Sequence, residues 1–191
     1  MSSNSLLRWS GERANALNEI ENAHAMIGGS ERGRRYATQQ VNYSYATLLS
    51  SHFQGFCRDL HTESVERIVA IVPGSIQWFV SAEFVWNRGL DRGNPNSGVI
   101  GADFGRLGVD FWPDVDALDA RNVRRRAMLQ ELIAWRNAIA HQDFDPVAPT
   151  GEPSLHLATV KAWRSALNGL AHSFDQAMYN YFHPLLGTAP W

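Results

Sequence analysis

The sequence predicts an all-α protein, an up-and-down bundle of about five helices, and three observations carry that prediction. Apolar residues recur at alternating steps of three and four along two long segments, residues 41–60 and 160–181. No convincing βαβ alternation and no internal repeat appears between them. The helical periods stop at Gly and Pro clusters such as Gly28-Gly29 and Pro73-Gly74, as helix ends do. At 191 residues the chain can bury one substantial core, so residues 1–191 are read as a single domain.

The first helix is expected from about Glu12 to Ile27, where Leu17, Ile20, His24 and Ile27 share a face. The second is much longer. Val41, Tyr45, Leu48, Leu49, His52, Phe53, Phe56, Cys57 and Leu60 form its stripe, and a re-nucleation near Thr62 carries it through Val65, Ile68, Val69 and Val72. Ser75 can cap a third helix ending near Gly89, although the aromatic and β-branched runs of "IQWFVSAEFVWNRGL" leave a strand open. The Gly-, Asn- and Pro-rich stretch "DRGNPNSGVIGADFGRLGVDFWPDV" reads as a long loop with one helical turn near residues 102–107, and loops of that length are usually functional. A fourth helix follows from about Ala117 to His141, with Asp116 and Asp119 at its positive end. After a polar, Pro-containing segment, Val160, Trp163, Leu167, Leu170, Phe174, Met178 and Tyr181 mark the last helix.

Composition narrows the function classes. Hydrophobic residues at 45% and charged residues at 19% describe a folded chain rather than a disordered one. A formal net charge of −2 gives no global attraction to nucleic acid or anionic lipid, so such binding must be local. Two short basic clusters could supply it, Arg32/Arg34/Arg35 and Arg124/Arg125/Arg126, although runs this short are more often solvated faces. The single cysteine, Cys57, forms no intrachain disulfide and sits on an apolar stripe as a buried thiol would. His24, His61, His156, His172 and His183 show no metal-site spacing, and "GGSERGRR" lacks the Gly-Lys-Ser/Thr ending of a phosphate-binding P-loop. No metal or other cofactor is expected. With neither a secretory-signal core nor a membrane-length apolar run, the expected location is cytoplasmic.

The chemistry concentrates in "ELIAWRNAIAHQDF", residues 131–144. Leu132, Trp135 and Ile139 should face the core, while Asn137 and His141, four apart, lie about 40° from each other and can touch one ligand. Arg136 and His141 are five apart, about 140° around a straight helix. The reach of arginine, a helix end near His141, or a second copy of the helix packed antiparallel about a twofold axis would relieve that mismatch. Such a site suits an RNA phosphodiester. Imidazole exchanges protons near neutral pH, guanidinium bonds two phosphate oxygens at once, and a carboxamide can orient the scissile group. A bland alternative is that both cationic groups close the C-terminal end of the helix.

"RNAIAH" resembles the signature of the HEPN superfamily, an Arg, a polar neighbour, and a His four to six positions after the Arg near a helix end. The context, from about residue 41 to 182, is similar to the RiboL-PSP type: the long helix "YATLLSSHFQGFCRDLHTESV", a Gly-containing segment, the motif helix and the closing helix "VKAWRSALNGLAHSFDQAMYNYF". The resemblance implies a HEPN-like domain that dimerises around a composite, metal-independent endoribonuclease site for single-stranded RNA, in a toxin or antiviral effector restrained by an antitoxin or regulatory protein. Arg136, Asn137 and His141 would be its catalytic residues. Two departures stand out. The Tyr that some family toxins carry two residues beyond the His is replaced by Asp143, and the Glu of the long helix is absent, with Gln54 or His52 as candidates for its place. The alternative expectation is a noncatalytic HEPN module that binds a protein partner or nucleotide.

Overall fold

A computed structural model describes residues 1–28, 35–142, 144 and 154–191. Every regular element among them is helical. Ser3 opens α1 (Asn4–Arg8), its side chain accepting the Leu6 amide at 3.0 Å, which satisfies one of the orphan donors of a helix start. The buried Glu63 carboxylate accepts the Asn4 and Ser5 amides at the same end, where negative charge is favoured. A π-helical turn at Trp9–Arg13 then joins α1 to α2 (Ala14–Gly28). The first helix therefore starts earlier than Glu12, and the widened turn explains why: it breaks the 3.6-residue period that would otherwise connect Leu6 and Trp9 with Leu17.

The second helix, α3 (Arg35–Ala70), is one element without a re-nucleation at Thr62. Thr62 Oγ1 donates to the Arg58 carbonyl one turn back at 2.9 Å, so the hydroxyl is accommodated inside the helix. Tyr45, Leu49, Phe53, Phe56, Cys57 and Leu60 are buried along it, and α2, α4, α7 and α8 all pack against it. Here α4 is Gly74–Val85, a helix rather than a strand, which begins after Pro73 with no side-chain cap and ends before Gly89.

The expected long loop is corrected most. It contains a 3₁₀ turn at Gly89–Asp91, then α5 (Ser97–Gly105) and α6 (Phe111–Leu118). Asn96 caps α5 by accepting the Val99 amide at 2.9 Å, and Ile100, Phe104, Phe111 and Val115 enter the core. The motif helix, α7 (Asn122–His141), accordingly starts later than Ala117. Asp119 is extended and accepts the Arg121 amide, separating α6 from α7. The last helix is α8 (Leu157–Leu186), which ends in left-handed Gly187.

The three long helices α3, α7 and α8 pack pairwise around an aromatic core. Phe174 of α8 is its hub, with ring contacts to Phe53, Phe56, Phe104, Phe111 and Trp112. Leu132 and Trp135 of α7 are buried and Ile139 packs partly against the core, as the motif pattern predicts. No helix among the described residues is long and apolar enough to cross a membrane.

Candidate functional site

The polar face of α7 borders a cleft of about 500 Å³, lined by Arg136, Asn137 and His141 together with Gln54 of α3 and the segment Asp91, Arg92, Gly93 and Asn94. Its volume lies in the range of small-ligand sites. Arg136 and His141 thus line one cleft within a single chain despite their angular separation on α7, which ends at His141.

Closure of the helix end does not fall to these two side chains. Gln142, in the left-handed conformation, donates its backbone amide to Ala138 and Ile139, and its side-chain Nε2 donates to the Ile139 carbonyl at 2.9 Å. His141 is exposed, whereas Arg136 and Asn137 are half-buried. Arg136 Nη1 donates to Asn137 Oδ1 at 3.3 Å, and Asn94 Nδ2 donates to the same oxygen at 2.5 Å. The Asn137 carboxamide is therefore anchored through its oxygen, which leaves its NH₂ as the donor for anything entering the cleft.

The opposite wall is held from behind by a buried network. Arg88 is almost wholly buried and donates to the Arg58 carbonyl (3.1 Å), Thr62 Oγ1 (2.9 Å) and the two carboxylate oxygens of Asp91 (3.0 and 3.2 Å). Buried Asp103 accepts the Gly89 and Leu90 amides at 2.9 and 2.8 Å. Gln54 Nε2 donates to the Leu90 and Gly93 carbonyls at 2.6 and 2.8 Å, so its carboxamide holds the wall. Gly89 approaches α5 closely: a Cβ there would lie 3.1 Å from Val99 Cγ1, so that side chain would have to shift by a few tenths of an ångström to admit one.

His61 completes the network, fully buried, with Nε2 3.1 Å from the Asp103 carbonyl oxygen and its ring edge-on to Phe104. Burial and the positive charge of Arg88 push its pKa down to about 4. The sequence suggested no role for it. Asp91 is the only carboxylate among the described residues that line the cleft. Partial burial raises its pKa, but hydrogen bonding from Arg88 and the charges of Arg88 and Arg58 outweigh that and hold it below the ordinary carboxylate value. Asp91 is engaged by Arg58 and Arg88, and the remaining described side chains of the lining include the guanidinium groups of Arg92 and Arg136.

Of the two candidates on α3, Gln54 lines the cleft and His52 does not. His52 is half-buried rather than in the core, and burial and Arg13 lower its pKa. Asp91, Arg92 and Asn94 were not singled out by sequence, although they open the long segment suspected of function. Cys57 is fully buried, and burial raises its thiol pKa. Arg125 and Arg126 are paired with Asp119 and Asp116, and Arg126 also lies 4.9 Å over the Trp112 ring. Two of the three arginines of that cluster are therefore engaged at the α6–α7 junction, while Arg124 is exposed. Arg32, Arg34 and Asp143 lie outside the described residues, as does the side chain of Arg35. Among the described residues no group of three His, Cys, Asp or Glu side chains could hold a metal ion.

No family model, no curated protein and no solved structure matches this chain.

Proposed function

We propose that the chain is a HEPN-type endoribonuclease acting on single-stranded RNA, with Arg136, Asn137 and His141 as its reactive set. The supporting observation is that these three motif side chains share one open cleft with Arg92, and that Asp91, the only carboxylate among the described lining residues, is engaged by Arg58 and Arg88. In this reading His141 transfers a proton, Arg136 binds the nonbridging phosphate oxygens, and the Asn137 NH₂ orients the scissile group. A base takes the proton of the 2′-hydroxyl, the 2′-oxygen bonds to phosphorus, and the bond to the 5′-oxygen breaks as that oxygen is protonated. The products are a 2′,3′-cyclic phosphate and a free 5′-hydroxyl. In a homodimer with paired motif helices, two histidines supply base and acid. With one histidine per site, water takes the second role. No metal or cofactor enters this scheme, and a toxin or antiviral effector restrained by an antitoxin or regulatory protein is the matching biological setting.

The test is digestion of varied single-stranded RNAs in excess chelator, with analysis of the new ends. The native chain should leave cyclic phosphates and spare all-deoxy substrate. His141→Ala should cut at least ~100-fold more slowly, the lower range of an acid–base contribution, with its thermal melt unchanged. A folded native chain that binds nucleotide or a protein partner through the cleft but leaves every RNA intact rejects the nuclease in favour of a noncatalytic binding module.

A further inference from the structure

A second cavity, of about 460 Å³, lies against α3 and is bordered on α7 by Ile139. Its volume, like that of the cleft, is in the range of small-ligand sites. Ile20, Leu48, Ile139 and the Tyr43 ring give it apolar walls, while Gln40, Ser44 and Ser51, all exposed, add a carboxamide and two hydroxyls. None of the described lining residues is charged. Among them a phosphate or carboxylate finds no counter-charge, and burying such a group without a partner is costly. A flat, uncharged group with apolar faces and a hydrogen-bonding edge fits, and that is the chemistry of a nucleobase.

The cavity and the cleft follow each other along the same two helices. Gln40, Ser44, Thr47 and Ser51 of the cavity and Gln54 of the cleft succeed one another at steps of four, three, four and three, which sets them on one side of α3. Thr47 and Gln54 are about 10 Å apart along the axis, at about 1.5 Å per residue. On α7, Ile139 of the cavity falls in sequence between Asn137 and His141 of the cleft. Tyr43 is held in place by its neighbours: the ring stacks on Phe144, just beyond the motif helix, at 5.5 Å and meets Trp135 of α7 at 6.3 Å, and its hydroxyl accepts Gln39 Nε2 at 2.6 Å. A ring fixed in advance loses little freedom when a base packs on it. We infer that this cavity is a subsite for one base of the strand whose phosphate occupies the cleft, with Tyr43 as its aromatic wall. The inference rests on the RNA reading of the cleft and extends it from the scissile phosphate to an adjoining nucleotide.

The test is binding, measured by fluorescence anisotropy with two short labelled strands. One is a 2′-fluoro oligonucleotide, which lacks the nucleophilic hydroxyl and stays intact, and the other is the same sugar–phosphate strand without its bases. The native chain should bind the base-bearing strand about tenfold more tightly, the scale of one base on an aromatic ring. Ser44→Trp fills the cavity from an exposed helix position, so it should keep the native thermal melt and bind the two strands within about twofold of each other. Ser51→Phe, farther along the same wall, should act alike. Equal native affinity for the two strands overturns the inference, and so does a tenfold preference that survives both substitutions. A native chain that binds neither strand overturns it too, including one that takes up 1-naphthol in the cavity, which would assign it to a small apolar ligand. A native chain that shows the preference yet cuts no RNA keeps the subsite and loses the nuclease, whereas one that cuts RNA but binds both strands alike loses the subsite alone.

Discussion

Asp103→Asn exchanges one buried carboxylate oxygen for an NH₂ group and should loosen the wall of the cleft. The Asp103 carboxylate is buried and accepts two backbone amides, Gly89 at 2.9 Å and Leu90 at 2.8 Å, through different oxygens. Asparagine can still accept one of them, but its NH₂ then faces the other amide, donor against donor. An unsatisfied buried donor costs about 1–3 kcal/mol, and loss of the charge-assisted bond adds to it, so the variant should lose about 2–3 kcal/mol. Asp103→Ala removes both acceptors and should lose more. Urea denaturation at pH 7 measures the loss, and hydrogen exchange at the Leu90 amide locates it. A change below about 1 kcal/mol, or Leu90 protection equal to the native value, would refute the role assigned to this carboxylate.

Two further predictions concern the same wall. His61 has its folded pKa lowered to about 4, so the unfolded chain binds the extra proton first, and the stability it contributes is present above about pH 6.5 and lost as pH falls toward 4. Between pH 7 and pH 5 the native chain should lose about 2 kcal/mol more than His61→Asn in urea titrations; equal losses would show that the imidazole is not held neutral. Gly89→Ala places a Cβ 3.1 Å from Val99 Cγ1 and 3.5 Å from Asp103 Oδ1, and crowding of this kind should cost about 1–2 kcal/mol. A thermal melt equal to or above native would show that the turn has room.

The fold was legible where one period runs undisturbed for many turns. Residues 41–60 and 160–181 belong to α3 and α8, and Leu132 and Trp135 are buried as their spacing requires. It was illegible where the period is short or shifted. The π turn at Trp9–Arg13 separates Leu6 and Trp9 from the rhythm of α2, and α5 and α6 are too brief for a pattern rich in Gly and Pro to stand out. Asn96 before Val99 was the available signal for α5, a cap hidden inside an apparent loop. In the candidate site, the α7 half was legible because Arg136, Asn137 and His141 are close in sequence. Of the other wall only Gln54 was offered, through the family resemblance; Asp91 and Asn94 were not, because they join it only when α3 and the segment after α4 meet, a contact that no local spacing encodes.

At the end of α7, Gln142 rather than Arg136 or His141 meets the carbonyls of Ala138 and Ile139. Had Arg136 and His141 served to close the helix, their donors would be directed at its last carbonyls. Gln142 meets those carbonyls with its backbone amide and side chain, and Arg136 is turned toward Asn137. Asn137 is held in turn by Asn94, which belongs to a wall fixed by Arg88, Asp103 and Gln54. The order of support therefore runs from buried network to wall, from wall to Asn137, and from Asn137 to Arg136. A cap needs none of that. A cleft that must present a guanidinium and an amide at fixed separation does, because each misplaced donor weakens charge stabilisation that depends on preorganised geometry. Asn94→Ala thus provides the sharper test of the wall. Under the proposed function it should slow RNA cleavage with little change in thermal melt, and a variant that cuts at the native rate would leave the Asn94–Asn137 bond without a part in the chemistry.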